Sequence, residues 1–483
     1  MTVPAVALAP VLVDSTGAGA IPGTNTLHAE LINRAARTDY RQWLTSAAPA
    51  GGCARPIRLT GRMHDVNTAT GEVLSTLDTS SMPDHVIYTA CGDRRASVCP
   101  SCAETYRRDT YQLIRAGLAG GKGVPESVAI HPAVFATFTA PSFGPVHTRF
   151  LTAGGKTARC RPRRTASYCT HGRRLSCGQR HKQTDACLGR PLCPDCYDYN
   201  AAVVWNGHAP ELWRRTTIAI RRRLDRLARS QGNQVRLSYA KVAEFQARGL
   251  IHFHAIFRLD DRDPARVAPP AAISARQLAD TIGDAARSVQ FATVSHPASP
   301  AGWTITWGSQ LDTRIVKVTA AGELTDTAVA SYLAKYATKS TEAVGTAPVR
   351  IDAGNLTIYG SPRSHQGRLI AAAWHIGNHP HADFQALRHW AHMLGYRGHF
   401  STKSRRYSTT LRALRSARTD WKRRQHFTTT QANSSAAAAV TVATSMSYAG
   451  RGWRSSGDAV LALSAAARAR EHDQIAREEI RMP

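Results

Sequence analysis

The chain has 483 residues, too many for one ordinary domain and enough for two to four. A hydrophobic fraction of 43% supports packed cores and excludes a disordered chain, and with no apolar run of about 18 residues nothing is expected to span a membrane. Lys and Arg total 62 against 34 Asp and Glu, a formal net charge of +28, and that surplus calls for an anionic partner, with nucleic acid the usual one.

The first residues, MTVPAVALAPVLVDSTGAG, are apolar but carry no charged leader, so a cytoplasmic protein is expected. Residues 1–50 read as weakly ordered, turning helical around Leu27–Leu44. Residues 51–125 hold a first cysteine group and then the amphipathic helix ETYRRDTYQLIRAGLAGG, stopped by glycines. His131–Ala140 has the β-branched and aromatic content of a strand and is closed by Pro141. Residues 155–200 carry a second cysteine group with many arginines and little periodicity, the profile of a metal-stapled insertion. Glu211–Ser230 reads as a helix with a basic face, Val235–Phe245 and Leu250–Leu259 as strands, Pro264–Pro270 as a linker and Ile273–Ser288 as a helix. Trp303–Val318 holds one or two strands, and Leu324–Ser340 is a helix. Residues 346–427 form a basic helical region, with helices over Gly367–Gly377 and Phe384–Leu394. From Arg397 to Arg424 ten basic residues face a single acid, Asp420, so Lys403, Arg405, Arg406, Arg412 and Arg415 are candidate DNA contacts. Residues 428–483 read as a flexible tail ending in a helix, with Thr428–Ser447 rich in Ala, Ser and Thr.

The stretch AEFQARGLIHFHAIF raises a chemical question. His252 and His254 are two apart on a strand, so they share a face. A two-residue loop would put Glu244 on the opposite face. A three-residue loop, Ala247-Arg248-Gly249, pairs Glu244 with His252, and Gly249 supplies the left-handed residue that such loops favour at their third position. Two imidazoles and a carboxylate with open positions suit a catalytic Mg²⁺ or Mn²⁺ ion. Two half-buried histidines on a sheet face are the ordinary alternative. The second element is VASYLAKYATKST. Tyr332 and Tyr336 are four apart and share a helix face, with Lys335 and Lys339 on a neighbouring one. A phenol near pKa 10 is a poor nucleophile unless a metal ion or an ammonium group lowers the cost of phenolate. Aromatic core residues with solvated lysines are again the ordinary alternative.

Together, His-hydrophobic-His with an upstream carboxylate, then Tyr-x-x-Lys-Tyr on a helix, resemble the HUH endonucleases that start rolling-circle replication of plasmids and small phages. The order, histidines before tyrosines, is that of the replication initiators, and Phe135–Pro141 resembles the family's first motif. RRDTYQLIRAGLAGGKGVP, LCPDCYDYNAAVVWNGHAPELWRRTTIAIRR and MLGYRGHFSTKSRRYSTTLRALR resemble the actinobacterial initiators of plasmids and integrative elements, a likeness over roughly residues 50–425. The resemblance implies an α+β fold, a central antiparallel sheet with flanking helices, within a nicking domain over residues 126–345. It implies that Glu244, His252 and His254 hold the metal, and that Tyr336 attacks first. Tyr332 would be a second nucleophile or a structural residue, and Lys335 and Lys339 would assist. The substrate would be a single-stranded or hairpin origin, with host polymerase and helicase as partners; no GxxxxGK[ST] loop is present to make a helicase of this chain. A two-tyrosine rolling-circle transposase and a non-catalytic zinc DNA-binding regulator are the alternatives.

The ten cysteines are clustered, three between Cys91 and Cys102 and six between Cys160 and Cys196, with two CPxC units that read as structural zinc ligands in such a chain. Cys91, Cys99 and Cys102 supply three ligands, with Cys53, His85 or His64 as a fourth. Cys193 and Cys196 form the second pair, completed by Cys177 and either Cys169 or His181. Plain buried thiols are the alternative for Cys53 and Cys187, and a poor one for the CPxC pairs.

Overall fold

The computed structural model describes residues 24–152, 154–263, 266, 273–316, 325–338, 349–430 and 440–479. The protein is mixed α/β, with antiparallel sheets and flanking helices, and divides into two compact units: residues 1–106 with 419–483, and residues 107–418. No described helix is long and apolar enough to cross a membrane. Elements are numbered in chain order.

The first unit joins the two ends of the chain. Strand β1 (Ile57–Asn67) pairs antiparallel with β2 (Val73–Asp78), β3 (Ile87–Thr89) and β11 (Val440–Arg451). β11 lies in the stretch whose composition suggested a flexible tail. Its Val440, Thr441, Val442 and Thr444 are β-branched, and the long edge of β1 supplies the pairing that composition cannot reveal. Helices α1 (Thr24–Ala35), α2 (Tyr40–Ala47) and α11 (Ser456–Glu479) complete the unit, around a core in which Tyr88 stacks on Trp453 at 4.8 Å. Arg34 is buried there between Asp458 at 2.6 Å and Asp84 at 2.9 Å. The unit boundaries fall within α3 (Pro100–Ala119) and α10 (Leu411–Thr430).

The second unit is built on a five-stranded antiparallel sheet. Its order is β10 (Ser401–Lys403), β5 (Val235–Phe245), β6 (Ile251–Asp261), β4 (Ala133–Thr139), β9 (Leu311–Ile315). Alternation along these strands gives the sheet two unlike faces. Val134, Ala136, Phe138, Leu237, Ala243, Phe253 and Phe257 turn to one side and belong to the main core with Trp205, Trp213 and Ile220 of α4 (Tyr199–Arg229), and with α5 (Ala275–Ser288) and α8 (His365–Ile376). The short helices α7 (Leu356–Tyr359) and α9 (Ala382–His389) and the ribbon of β7 (Gln290–Ala292) and β8 (Thr304–Thr306) lie around that core. The opposite side carries Thr137, Thr139, Glu244, His252 and His254, and α6 (Asp326–Tyr336) packs on β5 and β6.

Two elements differ from the sequence reading. Helix α4 starts at Tyr199, a full three turns before Glu211: Asp198 caps it by accepting from Ala201 N at 2.8 Å, and the fully buried Val203, Val204 and Trp205 hold the helix through Gly207 and Pro210, which on their own suggest a break. Ser401–Lys403, in the basic region expected to be helical, is an edge strand fixed by pairing with Ala240–Val242.

Candidate active site and metal centres

The hairpin turn has the geometry that Gly249 predicts. Gln246 N donates to Leu250 O at 2.9 Å, Gly249 N donates to Gln246 O at 2.8 Å, and Gly249 sits at φ +75°. Glu244 is therefore directly opposite His252, and Val242 opposite His254. A buried asparagine clamps the turn from α4: Asn206 Nδ2 donates to Gly249 O and Leu394 O, both at 2.9 Å, and its Oδ1 accepts from Ile251 N at 3.0 Å. His365 lies 3.0 Å from Arg248 O, and Arg248 donates to the carbonyls of Ala140 and Pro141 at 2.8 Å each.

The two imidazoles are oriented by their Nδ1 atoms, as ligating histidines usually are. His254 Nδ1 lies 3.2 Å from Thr137 Oγ1, and its Nε2 is 3.5 Å from Glu244 Oε2. His252 Nδ1 lies 2.8 Å from Gln246 Nε2 and 3.5 Å from Thr139 Oγ1. The ring centroids are 4.5 Å apart. Burial, then the neighbouring His254 and Arg248, push His252 down to about 3, so its ring is neutral with a lone pair available at physiological pH. Four groups of His, Cys, Asp and Glu bring their ligand atoms within 4.8 Å of one another among the described residues, and the Glu244, His252 and His254 trio is looser than these.

Helix α6 begins at Thr325, whose hydroxyl accepts from Ala328 N at 3.2 Å, and buries Val329, Ala330, Leu333 and Ala334. The next positions round the helix then face the histidines. Tyr332 packs edge-on to His254 with centroids 5.0 Å apart, Tyr336 lies 5.3 Å from the same ring, and the two phenol rings are 4.5 Å apart. Burial, the hydrogen bond with Tyr336 and the charges of Tyr336 and Glu244 push the Tyr332 phenol well above its ordinary value, so Tyr332 is held protonated. Lys335 is exposed, with Nζ 5.9 Å from the centre of the Tyr336 ring. Lys339 lies outside the described residues. The sequence reading missed Thr137, Thr139 and Gln246; their only signal was strand alternation and one residue at the foot of the turn.

The cysteines form three separate groups. The first is Cys53, Cys91, Cys99 and Cys102. Its Cys91–Cys102 and Cys99–Cys53 sulfur separations, 3.6 and 3.7 Å, match the roughly 3.8 Å edge of a tetrahedron with Zn–S bonds of about 2.3 Å. Cys53 is thus the fourth member, while His85 and His64 turn to Ser80 O and Thr76 Oγ1. The second group is Cys169, His171, Cys193 and Cys196, with His171 Nδ1 3.2 Å from the Cys196 sulfur. Burial acts upward on the Cys169 thiol, but backbone N–H groups of Arg173 and His171 outweigh it and bring it down to about 6. Cys177 does not join this group. It belongs to a third, with His147, Cys160 and His181, because paired backbone bonds between Arg161 and Cys177 (2.7 and 3.0 Å) fold that segment back on itself. His181 Nε2 faces His147 Nδ1 at 3.3 Å and the Cys177 sulfur at 3.5 Å, while its Nδ1 meets Asp185 at 3.2 Å and the Cys187 sulfur at 3.4 Å. A carboxylate on the far nitrogen is the usual support of a ligating histidine. The first group offers only thiols, the second adds a histidine to its cysteines, and the third divides evenly between cysteine and histidine. Each of these donor sets fits a closed structural zinc.

The candidate DNA contacts divide by engagement. Lys403 Nζ donates to Ser408 O at 2.8 Å, and burial lowers its affinity for protons. Arg415 bonds the fully buried Asp109 at 3.1 Å, alongside Arg418. Arg405, Arg406 and Arg412 are exposed.

The profile of a protein family described as "Replication initiator protein, pSAM2" matches residues 39–467. A curated replication initiator protein from Streptomyces ambofaciens is 42% identical over 463 residues, covering 94% of this chain and 95% of that protein. No solved structure matches. By both measures the chain belongs to this family of replication initiator proteins.

Proposed function

We propose that this protein starts rolling-circle replication by nicking one strand of an origin, in the manner of an HUH endonuclease. The observation that carries this reading is the meeting of both phenol rings with His254 on a sheet face that also presents Glu244 and His252. A nucleophile beside two imidazoles and a carboxylate on one face suits metal-assisted phosphodiester transfer to a side chain.

Glu244, His252 and His254 would hold a Mg²⁺ or Mn²⁺ ion, which supplies charge neutralisation at a non-bridging phosphate oxygen. Tyr336 Oη attacks phosphorus, the bond from phosphorus to the 3′ oxygen breaks, and the phenol proton is balanced by the proton the 3′-OH gains. The 5′ end stays as a phosphotyrosine and the phosphodiester energy is retained for resealing. Tyr332, held protonated, suits hydrogen bonding to the incoming phenolate of Tyr336 and a second transfer later. Lys335 and Lys339 offset phosphate charge. The three zinc groups staple segments too polar to fold alone. Origin DNA, cytoplasmic replication enzymes and a host helicase are the partners that this chemistry needs.

The test is incubation of the protein with Mn²⁺ and a labelled single-stranded origin. A covalent adduct is expected, with mass spectrometry locating DNA on Tyr336. Tyr336→Phe combined with Tyr332→Phe should abolish cleavage, and persistent nicking by that double variant would sink the mechanism.

A further inference from the structure

The strands that carry the candidate metal ligands end, at their other extremity, in a basic cavity. It has a volume of about 590 Å³ and is lined by Arg221 on α4, Arg236 at the start of β5, Arg262 just after β6, and Arg405 and Arg406 after β10. One acid, Asp225, shares the lining. Arg221, Arg262, Arg405 and Arg406 are exposed and form no ion pair among the described residues. Arg236 is fixed in the wall: its guanidinium donates to Arg262 O at 3.3 Å and to Asp260 at 3.4 Å, and its buried Nε has no partner. The segment around β10 bonds β5 from Tyr239 to Ala243, and the residues of β5 before it, Val235 to Ser238, line the cavity.

We infer that this cavity is a second DNA-backbone site, which grips phosphates of the duplex stem beside the nick. Four guanidinium forks without an ion pair around one concavity match phosphate oxygens bidentately. The spacing gives the register. Arg236 and Glu244 lie at opposite ends of β5, about 26 Å apart at the usual strand rise. At about 3.4 Å per nucleotide step, that distance corresponds to about 8 base pairs. A short stem cannot reach the cavity from the catalytic face, and a longer one can. This inference rests on the nicking reading for the position of the scissile phosphate.

Fluorescence anisotropy of labelled hairpins with stems of about 6 and about 16 base pairs, titrated over a range of salt, tests it. Wild type should favour the long stem. Arg221→Ala with Arg262→Ala should remove that preference and cut the log K against log salt slope on the long stem by about 2. Arg221→Lys with Arg262→Lys should keep the slope, since the charges remain. Equal losses on both stems, or an unchanged slope, would overturn the site. Nicking of the short hairpin is scored in parallel. A wild type that fails to nick, while the Ala pair still loses the long-stem slope, discards the catalytic reading and leaves the phosphate site standing.

Discussion

Gly249→Ala is the sharpest single perturbation of the candidate site, because the register of the metal face depends on one left-handed residue. At φ +75° an L residue costs about 1–2 kcal/mol. A Cβ there would also lie 2.5 Å from Leu369 Cδ1 and 3.0 Å from Leu394 Cδ1, both on fully buried side chains, an overpacking that adds about 1–3 kcal/mol. The sum is about 2–5 kcal/mol, which at about 2–4 °C per kcal/mol lowers the melting temperature by roughly 4–20 °C. The functional loss follows from what the turn holds. Moving Gly249 disturbs its bonds with Gln246 O and Asn206, and Gln246 is the residue that meets His252 Nδ1. Metal-dependent nicking should therefore fall further than the loss of folded protein explains. Thermal melts beside a nicking assay measure both effects. A Gly249→Ala protein with wild-type melting and wild-type cleavage would refute the claim that this turn sets the site.

Three further outcomes are expected. Lys241 sits in the core beneath the sheet, with Nζ 3.2 Å from His399 O and 4.3 Å from the centre of the Phe253 ring, and burial pushes it down to about 7 from 10.5. The unfolded chain therefore binds the extra proton between about pH 7 and 10.5, so stability climbs with pH across that window; the difference of 10.5 − 7 = 3.5 amounts to about 5 kcal/mol, fully imposed below pH 7. Lys241→Met should be more stable at pH 7 and should lack that climb in urea titrations, and parallel pH profiles for the two proteins would show the assignment to be wrong. Metal analysis should find three zinc ions per chain, falling by one in Cys160→Ser and by one in His171→Ala; full zinc in Cys160→Ser would dissolve the third group. Asp260 accepts from Arg258 at 2.6 and 3.0 Å, from Ser238 at 2.6 Å and from His131 at 3.0 Å. Asp260→Asn should cost about 3–5 kcal/mol by leaving the buried Arg258 uncompensated, and a melt unchanged from wild type would contradict it.

What could be read from the sequence was local. Alternation gave β5, β6 and β4 to within two residues, and the chemistry of one glycine turn gave the Glu244–His252 register, because a hairpin's register is set by the few residues that link its strands. The spacing of Tyr332 and Tyr336 gave a common helix face. That this face would meet His254 rather than solvent was implied by the resemblance but not legible from spacing, since it depends on α6 docking across β5 and β6 from more than seventy residues away.

The cysteines show the same limit more strictly. CPxC units fix two ligands because backbone geometry brings neighbours together, but the remaining ligands come from wherever the chain returns. Cys53 reaches Cys99 across 46 residues, and His147 reaches His181 across 34. Nothing in the spacing of Cys177 says that its strand-like pairing with Arg161 turns it toward Cys160 instead of Cys193. The choice between those two shells rests on two backbone hydrogen bonds between Arg161 and Cys177, residues sixteen apart in the chain, which the spacing of the cysteines does not encode. The partition of ligands between the two groups is therefore a property of the folded chain, and zinc held there would couple folding of this insertion to metal binding.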